Sequence, residues 1–229
     1  MGSEGTLGVI TEVTLRIHPL PDFSTTTLVC FKTLDAACEA AGKIIAERWI
    51  PGSLELMDGV ILEMMSEIIP MDLPTAEWAL IVRNEGIKEA AEVEKEKILG
   101  VCNQFHPSEI LSIPPEKTDR FWWARENFGS FAMKGVSMTK PICATQSSID
   151  LILPISKMPD FAKYFKSLSS EFGFFSLIFG HIGDGNVHTG GGFAPNDKKS
   201  VLHGKEFQDK VIKYALDLGG SVTAEHGVG

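Results

Sequence analysis

Two histidines bracket a short polar turn in His181-Ile182-Gly183-Asp184-Gly185-Asn186-Val187-His188. The apolar run at 174–179 is expected to enter this segment as a strand, and 186–192 to leave it as another. Gly183-Asp184-Gly185-Asn186 has the composition of a tight hairpin turn, because Gly, Asp and Asn tolerate positive φ. With the turn at its centre, His181 and His188 fall directly opposite each other. Their Cβ atoms are then roughly 4.5–5.5 Å apart on one face, close enough to share one divalent ion at about 2.0–2.1 Å per Zn–N bond. The plain alternative is a pair of surface hairpin histidines, the better reading for two histidines alone. The short turn at a strand end, where sites are often built, shifts the balance.

Near the other end of the chain stands Thr223-Ala224-Glu225-His226-Gly227-Val228-Gly229. Glu225 could supply a third ligand, and two His plus one carboxylate leave open positions for water or substrate. His226 would then serve as a general base, a role suited to imidazole near neutral pH. By spacing alone a solvated turn is the stronger reading. Gly2-Ser3-Glu4-Gly5-Thr6-Leu7-Gly8 is a third candidate, since glycines let a backbone approach a ligand and exposed N–H groups suit phosphate. It has no Walker lysine and no G-x-G-x-x-G, so by itself it reads as a plain loop. Arg125, in Trp122-Trp123-Ala124-Arg125-Glu126, could clamp a carboxylate in two-point fashion or simply pack on tryptophan at the surface.

The elements that must position these residues follow a β–α rhythm. Strands are expected at 27–31, 53–57, 78–82, 148–153 and 221–223, besides the two that flank the histidine turn. Helices are expected at 34–49, 59–69, 87–99, 160–172 and 201–218. Residues 103–147 show no clear period and read as an insertion or lid, or as a helix with a weak pattern. Residues 9–17 alternate as a strand, which cannot bury its own face without a sheet. Two rounds of strand–helix–strand suggest an α+β fold of two similar halves.

Composition limits the function classes. A net charge of −9 argues against nucleic-acid and anionic-membrane partners. Hydrophobic residues at 44% and charged residues at 22% are ordinary globular usage. No apolar run reaches the roughly 18 residues of a membrane span, and Met1-Gly2-Ser3-Glu4 is no signal peptide, so a cytoplasmic protein is expected. Cys30, Cys38, Cys102 and Cys143 form no C-x-x-C pair and read as small buried hydrophobes.

Taken together the motifs resemble the FAD-linked oxidase family of the vanillyl-alcohol oxidase type, nearest its glycolate oxidase and D-lactate or D-2-hydroxyglutarate dehydrogenase members. Gly2 to Glu12 looks like the end of that family's FAD-binding domain, and Glu55-Leu56-Met57-Asp58 resembles a cap-domain signature. His181 to His188 matches H-x-G-D-G-N-x-H, and Glu225 to Gly229 matches E-H-G-x-G. The resemblance implies an α+β, ferredoxin-like cap domain over 22–229, with an antiparallel sheet and packed helices, cut short at its C-terminus. The end of an FAD-binding domain, a remnant strand, precedes it over 1–21. It implies FAD, bordered by Gly2, Ser3, Gly5, Thr6 and Gly8, and a divalent metal ion (Zn, Mn or Fe) on His181, His188 and Glu225. His226 would take the hydroxyl proton of a small 2-hydroxy acid, and Arg125 would hold its carboxylate. An iron–sulfur or other electron-transfer subunit and a homodimer are the protein partners it admits, the former a route to the membrane periphery. The family pattern has a lysine two residues before the aspartate of the next strand. Here Ser148 stands at that distance from Asp150, which leaves Lys134 and Lys140 as nearby cations. Most of a flavin domain is missing, so the isolated chain is expected to hold FAD weakly. A cap that binds metal or acid without redox work, or a metal-dependent hydrolase, are the other functions these residues admit.

Overall fold

A computed structural model describes residues 2–133, 149–192 and 198–228; Lys134, Lys140, Cys143, Ser148 and Gly229 lie outside them. The chain order is β1 (Phe23–Phe31), α1 (Leu34–Ala46), β2 (Ser53–Asp58), α2 (Gly59–Ile68), β3 (Trp78–Gly86), α3 (Lys88–Asn103), β4 (Glu109–Ile113) and α4 (Pro115–Met133). Then come β5 (Ile149–Ile152), α5 (Met158–Phe172), β6 (Phe175–Gly180), β7 (Asn186–Gly192) and α6 (Lys198–Asp217).

The seven strands form one sheet in the order β4-β1-β3-β2-β6-β7-β5, and every pairing is antiparallel. The first four strands have the split β-α-β order of a ferredoxin-like unit. The last three repeat it in mirror sequence, β6-β7-β5. The place of a fourth strand, beside β5, is marked by a single antiparallel bridge between Ile152 and Ser221. Two similar halves therefore meet where β2 pairs with β6, through Leu56–Gly180 and Met57–Phe179.

Alternation along the strands divides the core. Leu54, Leu56, Val187, Ile149 and Leu151 face α1, α3, α5 and α6, where Phe161, Phe165 and Phe207 fill the centre. Met57, Leu28, Cys30 and Ile81 face α2 and α4 on the other side. Glu55, Asp150 and His188 belong to this second face by the same alternation. There α4 is pinned by the Trp122 indole N–H, which donates to Thr26 Oγ1 at 2.9 Å, and by Phe128 edge-on to Phe179.

The structure corrects three sequence expectations. The described part of 103–147, up to Met133, is not an irregular lid: it includes β4 and a nineteen-residue helix, the weak-pattern reading of that stretch. Phe121, Ala124, Arg125 and Phe128 recur at helical spacing on its inner side, but Arg125 interrupts the apolar stripe and hides the period. Residues 9–17 form no ladder. Leu7, Val9, Leu15 and Ile17 are exposed, and the segment pairs with no strand among the described residues. The strand expected at 221–223 reduces to the one bridge at Ser221. Cys30, Cys38 and Cys102 are buried free thiols as expected; burial pushes Cys30 up to about 11 and the other two up to about 12. Among the described residues no helix is long and apolar enough to cross a membrane.

Candidate functional site

The two histidines are not directly opposed. His188 pairs with Phe179 across the ribbon, and His181 stands just past the end of β6, at the start of the connection. The connection is a 3₁₀ turn, Ile182–Asp184, closed by Gly185 at φ +76. A Cβ at Gly185 would lie 2.6 Å from the Leu153 carbonyl oxygen, so only glycine fits this corner. The rings still meet, with centroids 5.4 Å apart.

Glu225 comes to them from the loop after α6. Its Oε1 lies 3.3 Å from His188 Nε2, 3.6 Å from His181 Nε2 and 3.8 Å from His226 Nε2. Two ligands each about 2.0–2.1 Å from a tetrahedral ion are themselves roughly 3.3–3.4 Å apart. The His188 separation matches that spacing, and the His181 separation is longer. One ligand atom each from Asp150, His188, Glu225 and His226 also fall within 4.8 Å of one another. This grouping differs from the expected trio by including Asp150 and His226 and omitting His181. Each histidine of the trio nonetheless has a carboxylate on its Nδ1 side.

Behind His181 is Glu55, the charged residue in the middle of apolar β2. It accepts from His181 Nδ1 at 2.9 Å and from Ser53 Oγ at 2.6 Å, and it pairs with Arg125. Behind His188 is Asp150, with Oδ1 3.4 Å from Nδ1. An ionised carboxylate can only accept, so His181 Nδ1 carries the proton that it shares with Glu55. Metal-binding histidines are commonly oriented by this kind of partner. Glu55 and Asp150 had a sequence signal that motif matching passed over: each is a lone charge in an apolar strand, and a buried charge needs partners.

Arg125 does not pack on tryptophan at the surface. Its Nη2 reaches Glu55 and lies 3.5 Å from His181 Nδ1; Arg83 covers the Trp122 ring instead. Asp58 from the same motif serves the fold, capping α2 through Val60 N–H at 2.9 Å and pairing with Lys166. The glycine-rich segment meets the loop that carries Glu225, since Gly2 O accepts from Val228 N–H at 3.2 Å. A Cβ on Gly227 would lie 2.5 Å from that oxygen. Gly5 and Gly8 open onto clear space, and Thr6 closes a turn on Ser3 O.

The electrostatics fit an ordered cluster. Burial works to raise Glu55, but the His181 bond, the Arg125 charge and Ser53 outweigh it and hold its carboxyl below the usual range. Burial likewise opposes the net lowering of Asp150 by the His226, Ala224 and Glu225 N–H groups and Thr223. The Glu55 bond raises His181, whereas burial lowers His188. Stability from the two carboxylates is therefore present above the ordinary range of about 3.9–4.3 and is lost as pH falls through their folded values. His188 acts in the same sense below about 6.5, and His181 in the opposite sense as pH rises above it. The urea midpoint of the metal-free chain is expected to fall on acidification, most steeply below about pH 4, and Asp150→Asn should flatten that fall. An unchanged acid limb in that variant would contradict the assignment.

A ferredoxin-like sheet with imidazoles and carboxylates gathered at one strand end describes a cap-type α+β domain. The chain belongs to the family described as FAD linked oxidases, C-terminal domain, whose pattern matches residues 20–229. It is 29% identical over 230 residues to glycolate oxidase subunit GlcD of Bacillus subtilis, covering all of this chain and 48% of that protein. It is 27% identical over 240 residues to D-lactate dehydrogenase of Anaerostipes hadrus, covering 49% of it. The chain thus spans about half the length of these curated relatives. Among solved structures, an alkyldihydroxyacetonephosphate synthase superposes at TM-score 0.71 with 16% identity, over 97% of this chain and 45% of that one, a likeness of fold alone.

Proposed function

We propose that this chain forms the substrate-side half of a flavin-dependent oxidation of a small 2-hydroxy acid, of the D-lactate or glycolate type, to the 2-oxo acid. The observation that carries the reading is the convergence of His181 and His188 Nε2 on one oxygen of Glu225, with a carboxylate behind each ring. A divalent ion held by these three residues would act as a Lewis acid on the substrate hydroxyl and carboxylate. FAD, bordered by Gly2, Ser3, Gly5, Thr6 and Gly8, would supply the hydride acceptor.

The chain's own residues do the rest. His226 sits on the solvent side of Glu225, its side chain 65% exposed, and takes the hydroxyl proton as the C2 hydride departs and the C–O bond becomes a carbonyl. Arg125 holds the substrate carboxylate beside His181, its fixed fork suited to two-point pairing. The names of the relatives support the hydroxy-acid class.

Metal content and flavin reduction, measured together with D-lactate, glycolate and D-2-hydroxyglutarate in the complete flavoprotein, test this. His188→Ala is expected to abolish metal retention and reduction together. Undiminished reduction in that variant would refute the metal-centred reading.

A further inference from the structure

Asp150 interrupts the apolar strand Ile149–Ile152 with a charge, and its side chain is nine-tenths buried. Its two oxygens have different partners. Oδ2 accepts from the N–H groups of Ala224 at 2.9 Å, Glu225 at 2.8 Å and His226 at 2.9 Å, and from the Thr223 hydroxyl at 3.2 Å. Thr223 Oγ1 in turn accepts from Gly227 N–H at 3.0 Å. Oδ1 is buried with no hydrogen bond and lies 3.4 Å from His188 Nδ1. The separation is at the long end of a hydrogen bond, and a ring reorientation of a few tenths of an ångström closes it.

We propose that Asp150 is a positioning residue with two tasks: Oδ2 docks the loop that carries Glu225 and His226, and Oδ1 holds the Nδ1 proton of His188 so that its Nε2 lone pair is left for the ion that Glu225 would share. The inference rests on the reading that His188 binds the ion through Nε2. Asp150 is then not a ligand of that ion. The two nitrogens of an imidazole point in divergent directions, so an oxygen at Nδ1 stands away from an ion at Nε2. One carboxylate thereby couples the two chain segments that build the site, β7 and the loop after α6. A shift of the loop is felt at His188 through a single rigid side chain.

The arrangement predicts an asymmetric response to amide replacement. In Asp150→Asn the four donors on Oδ2 require an acceptor, so the amide oxygen takes that place and the loop stays docked. The NH₂ group then lands at the Oδ1 position and donates to His188 Nδ1. The ring is forced to carry its proton on Nε2, where it can no longer bind a metal ion. Asp150→Ala removes both tasks and frees the loop.

Long-range ¹H–¹⁵N correlation on the full chain, labelled at histidine and free of metal, reads the tautomer, and Zn²⁺ titration by calorimetry reads affinity. The parent is expected to show His188 protonated on Nδ1. Asp150→Asn is expected to keep the fold, move that proton to Nε2, and weaken Zn²⁺ binding by about 10–100-fold. In Asp150→Ala, amide exchange at residues 224–226 should rise as well. A parent His188 protonated on Nε2 overturns the proposal, and this holds even where the Asn variant fails to fold. So does an Asn variant that binds Zn²⁺ as tightly as the parent. A parent that binds no Zn²⁺ yet carries the proton on Nδ1 sinks the metal reading and leaves the role of Asp150 standing.

Discussion

In the complete flavoprotein His226→Gln is expected to lower kcat for the 2-hydroxy acid by about 10²–10⁴-fold, the range of a lost general base, with ion content unchanged. The geometry separates this histidine from the other two. His181 and His188 are backed by Glu55 and Asp150 and aim their Nε2 atoms inward. The His226 ring leans on the outer side of the same Glu225 oxygen, 5.6 Å from the His188 ring. Its backbone is fixed by the N–H bond to Asp150, so the loop is rigid while the ring meets solvent and substrate. Gln keeps a polar side chain of similar reach but cannot accept a proton at neutral pH. A pure base therefore shows a kcat effect with little change in KM. Loss of the ion along with activity would instead make His226 a fourth ligand, the role that the Asp150–His188–Glu225–His226 grouping would give it.

How much of this was legible beforehand depends on which physical signal each residue carried. The β–α rhythm was readable because α1 and α5 have clean apolar stripes, with Ala37, Ala41 and Ile44 on one and Phe161, Phe165 and Leu168 on the other. Helix α4 escaped because the side that faces the core carries Arg125, a charge that is satisfied by a partner seventy residues away. No local pattern contains that information. The segment at 9–17 shows the converse. Its alternation is a true strand pattern, yet a strand exists only where another strand's N–H and C=O groups meet it, and pattern does not supply a partner.

The site divides along the same line. His181, His188, Glu225 and His226 sit in glycine-rich motifs whose spacing is visible in the chain. Glu55 and Asp150 sit in strands, where spacing says only which face they occupy. Their importance follows from burial: a carboxylate inside a sheet face must be matched by donors, and the donors are the imidazoles, the guanidinium and the loop N–H groups gathered at the strand end. A lone charge in an apolar strand is thus a better pointer to a site than its motif context suggests. The expected direct opposition of His181 and His188 was off by two residues, with Phe179 opposite His188, because the 3₁₀ turn consumes residues that a two-residue hairpin loop would not.

Glu55→Ala is expected to destabilise the chain by about 3–5 kcal/mol, the range for breaking a buried pair by removing one partner. Glu55 and Arg125 have side chains 6% and 15% exposed, and Arg125 Nε is already buried without a partner. Removing the carboxylate leaves a guanidinium in a desolvated site beside His181, whose Nδ1 loses its acceptor at the same time. Glu55→Gln should cost less, because an amide oxygen can still accept from Arg125. The decisive comparison is Glu55→Ala in an Arg125→Leu background. If an uncompensated charge is the cause, the double variant recovers much of the lost stability, since neither charge then remains to be buried. Urea unfolding of the four proteins reads the coupling directly. Strict additivity would show that Glu55 stabilises the fold by packing alone, and that Arg125 is free of it.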